Sequence, residues 1–430
     1  MEITGYKPRI IDRILRDELE AMGAVVIEGA KACGKTTTAK VQAESVIYID
    51  DPVRRSQYIQ QADIDISGIL NGATPRLIDE WQLAPKIWDA VRFEVDRRNE
   101  DGQFILTGSA VPPKDELQQI THSGAGRFGW IRMRPMSLWE SGDSTGEVSI
   151  RALFSGNTEI KGFTQDSGLP TMAFLTCRGG WPKAVKKEKE KAALSQADNY
   201  FEAIVRSDIS RVDNVDRDEE RTRRIMRVLA RHIGTPATIP TLLEDLKTND
   251  SSEMSDKTLY SYLNALKKIY VIEDMTAWNP NLRSKTAVRA AETRYYVDPS
   301  VGCVALGLGP DDLINDLKSF GYLFENLCIR DLRVYAQTLK GRVYHYRDRN
   351  GLECDAVIHL PNGRYGLIEV KLGGERLIEE GCSNLKLLHD KLDFSRMKKP
   401  SFMMILTATG EYAFRRKDGI IICPIRCLRD

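Results

Sequence analysis

The chain has 430 residues, of which 42% are hydrophobic and 29% charged, a balance typical of folded globular proteins that excludes a wholly disordered chain. It carries 62 Lys and Arg residues against 61 Asp and Glu, a formal net charge of +1, so a polybasic coat is excluded and nucleic acid could be bound only by local patches. At roughly 100–200 residues per domain, two to four domains are expected.

The 8 cysteines are scattered along the sequence. None pair as CxxC, which fits a reducing cytosol better than a secreted disulfide framework. No apolar run approaches the roughly 18–20 residues that a membrane span needs. The first ten residues also lack the apolar stretch of a signal peptide. We therefore expect a cytoplasmic chain that does not contact a membrane.

The predicted elements fall into three blocks. Residues 24–134 alternate apolar strands with amphipathic helices, which predicts βαβ units and a mostly parallel sheet. Residues 141–170 are rich in Ser, Gly, Thr and Asp and are predicted to be loop with a short helix at most, whereas 180–268 is patterned as helix. From residue 295 the pattern is mixed. The candidate strands are 24–28, 46–50, 76–79, 103–107 and 129–134 in the first block, and 342–346, 353–360, 363–371 and 402–407 in the last.

Residues 29–36 form a complete phosphate-binding motif, GxxxxGK[ST], between an apolar strand and a helical run. Glycines at both ends let the backbone curl and aim N–H groups at phosphate oxygens. Lys35 would reach the β and γ phosphates of ATP, and Thr36 would hold Mg²⁺. The alternative is a glycine-rich turn that binds nothing. The residues expected to line the nucleotide are Gly29, Ala32, Cys33, Gly34, Lys35, Thr36, Thr37 and Thr107.

Two acids end the strand predicted at 76–79 and support the nucleotide site. Asp79 can complete the Mg²⁺ shell opposite Thr36, and Glu80 can polarise the attacking water as a general base. Glu80 follows Thr36 by 44 residues with one strand between them, which favours this interpretation. Alternatively, the two acids only cap the next helix.

Further candidates follow in the chain. Thr107 or Ser109, at the end of the next strand, could sense the γ phosphate, or could simply cap the strand. Arg127 lies in a glycine-flanked turn before the last strand of the block. It could act as an arginine finger that stabilises transition-state charge, or could be a surface arginine.

Four segments carry a resemblance to a known family: GAKACGKTTT, LIDEWQ, FILTGSA and GAGRFGWIRMRPMSLWESG. In this order they resemble the AAA-type ATPase domains that bacteria and archaea pair with a C-terminal domain of unknown function. The loop of that family resembles GPRQVGKT, and this chain departs from it at Ala30, Lys31 and Cys33. The resemblance covers residues 5–140 most strongly. It implies nucleotide-facing residues before the first strand, where this chain has Tyr6, Arg9 and Arg13.

The middle block resembles a winged helix. Residues 239–247 and 255–269 are patterned as two amphipathic helices, the second with Ser255 as N-cap, and a pair of strands at 270–274 and 294–297 follows. The second helix of such a motif can enter a DNA major groove. The charges could equally be a solvated face of a protein-packing module. The residues that would face DNA are Lys257, Thr258 and Ser261 on the helix and Arg283, Lys285 and Arg289 on the wing.

Three acids and a lysine are predicted to converge in the last block. Glu369 and Lys371 project from one face of a strand because they are two residues apart, and Asp355 can face them across a hairpin. Glu325 shares an apolar helix stripe and would point towards the core. The set resembles the PD-(D/E)xK nuclease signature, in which Asp355, Glu369 and Glu325 would hold Mg²⁺ or, alternatively, Mn²⁺, and Lys371 would position the attacking water. The alternative is a degenerate nuclease fold in which Glu369 and Lys371 form a structural salt bridge.

The predicted fold class is α/β: a P-loop AAA-type parallel sheet, a helical and winged-helix middle, and a C-terminal restriction-endonuclease-like domain. We expect an ATP-binding, ATP-hydrolysing protein that acts on DNA. The alternatives are an ATP-gated signalling switch or scaffold with an inert C-terminal domain, and a P-loop kinase. The expected partners are ATP, DNA, and a second copy of the chain or an unidentified protein. The predicted domains are 1–140 (AAA-type), 141–215 (linker and helical lid), 216–300 (winged-helix-like) and 301–430 (nuclease-like).

Overall fold

The structure, a computed structural model, describes residues 4–110, 122–157, 159–165, 168–249, 254–280 and 291–430. The chain divides into two units, each assembled from three separated segments. The N-terminal unit comprises Met1–Pro135, Arg206–Arg217 and Leu263–Val271. The C-terminal unit comprises Met136–Val205, Asp218–Tyr262 and Ile272–Asp430.

A five-stranded parallel sheet forms the centre of the N-terminal unit. Its strands are β1 (Ala24–Glu28), β2 (Ser45–Tyr48), β3 (Arg76–Asp79), β4 (Phe104–Gly108) and β5 (Phe128–Arg132). They lie in the order β2-β3-β4-β1-β5. All residues of β3 and β4 are buried, as expected for the central strands of a parallel sheet. The parallel sheet predicted for residues 24–134 is confirmed, with strand ends within two residues of the predicted ones.

The helices of this unit bury apolar side chains at helical spacing. The first helix buries Ile11, Leu15 and Leu19, which lie on one face because they are four residues apart. Trp88, on the helix Lys86–Arg98, stacks on Phe128 of β5 with 4.0 Å between ring centroids. Up to Pro135, the described helices are Ile10–Ala21, Lys35–Gln42, Arg55–Ile64, Ser67–Leu70 and Lys86–Arg98, with a 3-10 turn at Trp81–Leu83.

A seven-stranded mixed sheet forms the centre of the C-terminal unit. Its strands are β7 (Gly162–Phe163), β10 (Arg342–Arg347), β11 (Glu353–His359), β12 (Tyr365–Lys371), β13 (Phe402–Thr407), β14 (Tyr412–Arg415) and β15 (Ile421–Pro424). They lie in the order β10-β11-β12-β13-β15-β14-β7. The helices Leu317–Gln337 and Glu375–Lys391 pack against this sheet. The predicted C-terminal α/β sheet domain is confirmed.

The segment predicted to be mostly loop also contributes to this unit. It contains the expected short helix, Ile150–Phe154, and two strands of two residues each. One of them, β6 (Val148–Ser149), pairs in parallel with β16 (Leu428–Arg429), and the other is β7 at the sheet edge. Strands of two residues carry no periodic pattern, so the sequence alone could not reveal them.

The middle of the chain is helical, as predicted. The helices Ile239–Asn249 and Asp256–Lys268 are followed by an antiparallel pair, β8 (Ile272–Met275) and β9 (Thr293–Tyr296). Ser255 caps the second helix, because its hydroxyl accepts from the Thr258 amide at 3.1 Å. The remaining helices from residue 136 to 316 are Leu138–Ser141, Leu169–Arg178, Pro182–Val185, Glu190–Ala203, Glu219–Arg231, Pro299–Leu306 and Pro310–Asn315, with a π-helical turn at Ile204–Asp208, a helical turn at Ile209–Arg211 and, near the end of the chain, a 3-10 turn at Ile425–Cys427.

A buried ion-pair network joins distant parts of the C-terminal unit. Arg330 pairs with Asp298 at 2.9 Å and with Asp331 at 2.7 Å, and all three side chains are inaccessible to solvent. The two carboxylates also accept from the Gly180 and Leu138 amides. These charge-assisted bonds satisfy main-chain groups that would otherwise be buried without partners.

Among the described helices, none combines the length and the apolar character required to cross a lipid bilayer.

Candidate nucleotide site and carboxylate cluster

The phosphate loop has positive-φ backbone at two glycines, which favour it, and at one alanine, which does not. Gly29, Ala32 and Gly34 have positive φ angles of 157°, 60° and 108°. At Gly29 a Cβ atom would lie 2.0 Å from the Met133 carbonyl oxygen, so only glycine fits there. Gly34 immediately precedes the helix Lys35–Gln42, whose N-terminus therefore opens onto the loop.

Lys35 is buried and folds back over its own loop. Its Nζ donates to the carbonyl oxygens of Gly29 and Ala30, both at 2.9 Å. An ammonium group held above the loop by neutral carbonyls can transfer to a stronger anionic acceptor, such as a phosphate oxygen. The predicted role of Lys35 is compatible with this position.

Asp79 accepts hydrogen bonds from two hydroxyls of the predicted nucleotide site. In the register of β3 and β4, Asp79 lies beside Thr107. The hydroxyls of Thr36, at 2.8 Å, and of Thr107 both donate to Asp79 Oδ1. Burial raises the pKa of Asp79, and the two hydroxyl donors counteract part of that rise. The structure therefore brings together Thr36 and Asp79, the two predicted Mg²⁺ ligands of this domain, and Thr107, predicted to sense the γ phosphate or to cap its strand.

Glu80 follows with a left-handed backbone, φ 56°. Its Oε2 accepts from the Ser109 hydroxyl at 2.9 Å and from the Gln82 side-chain amide. Ser109 therefore holds Glu80 in place.

The residues before β1 brace the phosphate loop. Arg9 is buried, and its guanidinium donates to the carbonyl oxygens of Cys33 and Arg134, both at 2.9 Å. Tyr6 donates to Asp12 at 2.6 Å and shares a hydrogen bond with Thr38 at 2.9 Å. These contacts fix the shape of the loop, and a nucleotide-facing role for Tyr6, Arg9 and the exposed Arg13 remains a prediction.

Arg127 lies at the surface of the N-terminal unit. Its Nε donates to Asp96 Oδ1 at 2.7 Å, and its Nη1 donates to the Ala125 carbonyl oxygen at 3.1 Å. To act as an arginine finger, the side chain would have to leave both partners.

The carboxylate cluster of the C-terminal unit lies where two strands diverge. The antiparallel pairing of β11 and β12 runs from His359 to Ala356, and Asp355 comes next. There the Asp355 side chain accepts from the Val370 amide at 2.7 Å. Lys371 Nζ lies between two acids, 2.6 Å from Glu369 Oε2 and 3.5 Å from Asp355 Oδ2.

Glu325 completes the cluster from the helix Leu317–Gln337. Its Oε1 accepts from the hydroxyl of Tyr295, a buried residue of β9, at 2.6 Å. Burial, together with the charge of Asp355, raises the pKa of Glu325 to about 8. The same two causes raise the pKa of Glu369 to about 8, against the opposing charge of Lys371. Glu325 and Glu369 are therefore each held towards the neutral form by burial and by the nearby charge of Asp355.

One carboxylate oxygen of the cluster is buried without a hydrogen-bond partner among the described residues. Glu369 is 2% exposed, and its Oε1 has no hydrogen-bond partner among the described residues. As the side chains stand, no three His, Cys, Asp or Glu residues of the described ranges are close enough to hold a metal ion. The Lys371 ammonium takes the place of a cation between Asp355 and Glu369. Carboxylate oxygens are the ligands that Mg²⁺ and Mn²⁺ prefer, so the chemistry of the donor set, though not its present geometry, suits a divalent cation.

Three family models match the chain. Residues 22–141 match the model described as an AAA domain. The N-terminal domain is an AAA-type, P-loop ATPase-like domain. Residues 170–312 match Domain of unknown function (DUF8612), and residues 320–428 match Domain of unknown function (DUF4143). The nuclease likeness of the region after the AAA-type domain therefore stays a prediction.

Two mycobacterial relatives are similar over most of the chain. They are Uncharacterized protein Mb2031c of Mycobacterium bovis and Uncharacterized protein Rv2008c of Mycobacterium tuberculosis. Each is 22% identical over 414 residues, which cover 95% of this chain and 82% of the relative. The similarity thus extends well beyond the AAA-type domain.

Among solved structures, the walker-type ATPase paby2304 of Pyrococcus abyssi matches 68% of this chain and 94% of its own, with 15% identity and a TM-score of 0.42. The Hef helicase domain of Pyrococcus furiosus matches 94% of this chain and 90% of its own, with 12% identity and a TM-score of 0.22. At TM-scores below 0.5, neither likeness carries weight for the fold or the function.

Two contacts of these sites could not be found from sequence motifs. Lys31, in the phosphate loop of the AAA-type domain, forms an ion pair with Asp208, 177 residues later. Tyr295, which holds Glu325, was predicted only as part of a wing strand. Neither Asp208 nor Tyr295 lies in a recognisable sequence motif. Their contacts are therefore seen only in the folded structure. The wing residues Arg283, Lys285 and Arg289 lie outside the described residues.

Proposed function

We propose that the AAA-type domain binds ATP with Mg²⁺ and hydrolyses it. The observation that supports this most is the meeting of Thr36 and Thr107 on one oxygen of Asp79, at the carboxyl edge of the sheet. A hydroxyl and a carboxylate in this position are the protein ligands of Mg²⁺ in P-loop sites. The bound cation would neutralise charge on the phosphates.

The other side chains then have defined tasks. Lys35 exchanges its loop carbonyls for the β and γ phosphates, and the N–H groups from Gly29 to Thr37 surround the phosphate oxygens. Glu80, held by Ser109, orients the attacking water and accepts its proton. Arg127 stabilises the transition-state charge after leaving Asp96.

The variant Glu80→Gln tests this assignment. We expect ATP binding within about threefold of the wild type and hydrolysis lower by roughly 10²–10⁴-fold, because an amide cannot act as general base. The measurements are titration of a fluorescent ATP analogue and release of phosphate. Glu20→Gln, at an exposed position of the first helix, is the matched control. Hydrolysis that persists in Glu80→Gln would contradict the role of Glu80.

We also propose that the C-terminal domain is a restriction-endonuclease-like nuclease that requires a divalent metal ion and acts on DNA. Its support is the convergence of Glu325, Asp355, Glu369 and Lys371 and the unpartnered Glu369 Oε1. A divalent cation held by the acids would polarise a phosphodiester and lower the pKa of a water molecule. Lys371 would position that water for attack.

Cleavage of labelled single-stranded, double-stranded and branched DNA tests this part, with Mg²⁺ or Mn²⁺ and with or without ATP. We expect cleavage by the wild type and loss of at least 100-fold in Glu369→Gln, with Glu375→Gln, an exposed helix-start acid, as the control. Cleavage only with ATP would indicate coupling of the two domains.

A second candidate function is an ATP-gated switch or scaffold for protein partners with an inert C-terminal domain. It is favoured by one observation, the Lys371 ammonium held between Asp355 and Glu369, since a structural ion pair has the same geometry. ATP hydrolysis without cleavage of any of the three DNA forms would select this candidate.

DNA contact by the winged-helix-like region rests on the succession of two helices and the β8–β9 pair. On the second helix Lys257 is exposed, and Thr258 and Ser261 are partly exposed. We expect Lys257→Ala to weaken DNA binding uniformly across sequences and to reduce its salt dependence by about one phosphate contact. Fluorescence anisotropy at several salt concentrations measures this, and an unchanged salt slope would argue against the contact.

A further inference from the structure

Two polar atoms close to Lys371 are buried without partners. Glu369 Oε1 and Thr407 Oγ1 have no hydrogen-bond partner within the part of the chain that the structure describes, and their residues are 2% and 1% exposed. Buried polar groups in folded proteins are nearly always paired. These two unpaired atoms belong to neighbouring strands, β12 and β13, beside the same lysine.

The register of β12 and β13 places both residues on the same face of the sheet. In this parallel pair Glu369 lies beside Ile405, and Lys371 lies beside Thr407. A Cβ atom on Gly381, in the helix Glu375–Lys391, would contact the side chains of Ile405, Lys371 and Glu369, so these three point to one side. Thr407 follows Ile405 by two residues and shares its side because strand side chains alternate.

Lys371 occupies the position that a metal ion would need. Its Nζ is 2.6 Å from Glu369 Oε2 and 3.5 Å from Asp355 Oδ2, the two acids proposed to hold a divalent cation. A cation bound there takes the oxygens from the ammonium and repels it. The ammonium must then find another acceptor, since leaving it unpaired in a buried site is costly.

We propose that Thr407 is a positioning residue, whose hydroxyl accepts the Lys371 ammonium when a divalent cation occupies the carboxylates. The inference rests on the proposed metal site of the C-terminal domain. A threonine hydroxyl has acceptor lone pairs for this bond, and Thr407 lies directly across the strand pair from Lys371. Lys371 then has two resting positions, one on the acids and one on Thr407, and the second leaves the carboxylate oxygens free.

Binding of Mn²⁺ alone to the full chain, measured by isothermal titration calorimetry, tests the proposal without requiring cleavage. We expect Thr407→Val to weaken Mn²⁺ binding by roughly 10-fold, the lower end of the range for residues that support metal ligands. Thr407→Ser, which keeps the hydroxyl, restores it. In Lys371→Met there is no ammonium to relocate, so adding Thr407→Val there leaves Mn²⁺ affinity unchanged.

The outcomes separate this role from the metal site itself. A wild-type chain that binds no Mn²⁺ overturns the metal site and the role of Thr407 together. Mn²⁺ binding that Thr407→Val leaves unchanged, or weakens as much in the Lys371→Met background, overturns only the role of Thr407. A thermal unfolding midpoint of each variant near the wild-type value verifies that the variants fold, and Thr407→Ala, which also lacks the hydroxyl, serves if Thr407→Val does not fold.

Discussion

Thr36 and Thr107 share a single acceptor, Asp79 Oδ1, although 71 residues separate them in the sequence. Both bonds help Asp79 to carry a charge in a buried place, where burial raises its pKa. In the absence of nucleotide and metal, the ionised carboxylate is therefore a cost to the folded state. Because its buried charge is not neutralised, the Asp79 carboxylate is also well suited to bind a cation.

The variant Asp79→Asn separates these two effects. We expect the thermal unfolding midpoint of the nucleotide-free protein to stay the same or rise, because an amide accepts the same hydroxyls without a buried charge. ATP hydrolysis with Mg²⁺ should fall by at least about 100-fold, since the amide is a poor metal ligand. Asp101→Asn, at an exposed site, is the control. A midpoint lowered by several degrees in Asp79→Asn would show that the carboxylate has a structural role instead.

The carboxyls of Glu325 and Glu369 predict a pH dependence of stability. Their pKa values of about 8 lie above the usual 4.5, so the folded state binds more protons than the unfolded state between these values. Stability of the metal-free protein therefore falls as pH rises from about 4.5 to about 8. Thermal unfolding between pH 5 and pH 8.5 measures this, and Glu325→Gln should flatten the profile. A profile that Glu325→Gln leaves unchanged would refute the assignment.

The site side chains that lie within strands were predictable from the sequence. Asp79, Thr107, Asp355 and Glu369 are in this class, because a strand pattern fixes both their position and their face. Tyr295 was not found, since its contact with Glu325 depends on how β9 packs against a helix 30 residues away. A sequence motif is defined by the spacing of residues along the chain. Contacts that arise only from tertiary packing therefore cannot be predicted from it.

At the scale of elements, the phosphate loop is held from two sides. Arg9 fixes the Cys33 carbonyl, and Asp208, at the end of a π-helical turn, pairs with Lys31. The Asp208 side chain is 9% exposed, whereas Lys31 is 48% exposed. A loop cation that is already paired is less available to a phosphate.

The variant Asp208→Asn should release Lys31. We expect ATP to bind several-fold more tightly, with the gain decreasing at high salt because a freed surface cation is screened. Titration of a fluorescent ATP analogue at low and high salt measures the change. In the Lys31→Met background the same substitution should have no further effect on ATP affinity. Weaker binding in Asp208→Asn alone would mean that the ion pair shapes the loop for the nucleotide.

The elements themselves were predictable where hydrophobic patterns are long. The five strands of the parallel sheet are apolar runs between helices, and they lie within two residues of their predicted ends. The strands β6 and β7 have two residues each and complete pairs with partners more than 240 residues away. Their pairing is set by the partner strands, so local sequence could not predict it.

At the scale of the molecule, the network around Arg330 holds the C-terminal unit together. Arg330 neutralises Asp298 and Asp331, and these acids bind main-chain amides at Gly180 and Leu138. Four segments that are far apart in sequence thus meet at one buried cation. Removing the cation leaves two uncompensated carboxylates.

The variant Arg330→Met should destabilise the C-terminal unit by about 3–5 kcal/mol, the usual cost of breaking a buried ion pair from one side. Urea unfolding followed by tryptophan fluorescence measures this, and Trp181 is a suitable reporter because its indole N–H donates to Ser300 beside Asp298. Arg349→Met, at an exposed turn, is the control. Equal unfolding midpoints for the two variants would show that the network contributes little.

The N-terminal unit is built from three pieces of chain, and this affects when it can be completed during synthesis. The AAA match ends at residue 141, but Asp208 and the segment up to Val271 belong to the same unit, and Arg132 lies over the Tyr270 ring at 4.2 Å. A ribosome adding about 5–20 residues per second needs about 6–26 s for the 130 residues from 141 to 271. For the first 67 of these residues, about 3–13 s, the nascent nucleotide site lacks Asp208, the partner of Lys31, and the unit is completed only when Val271 has been added.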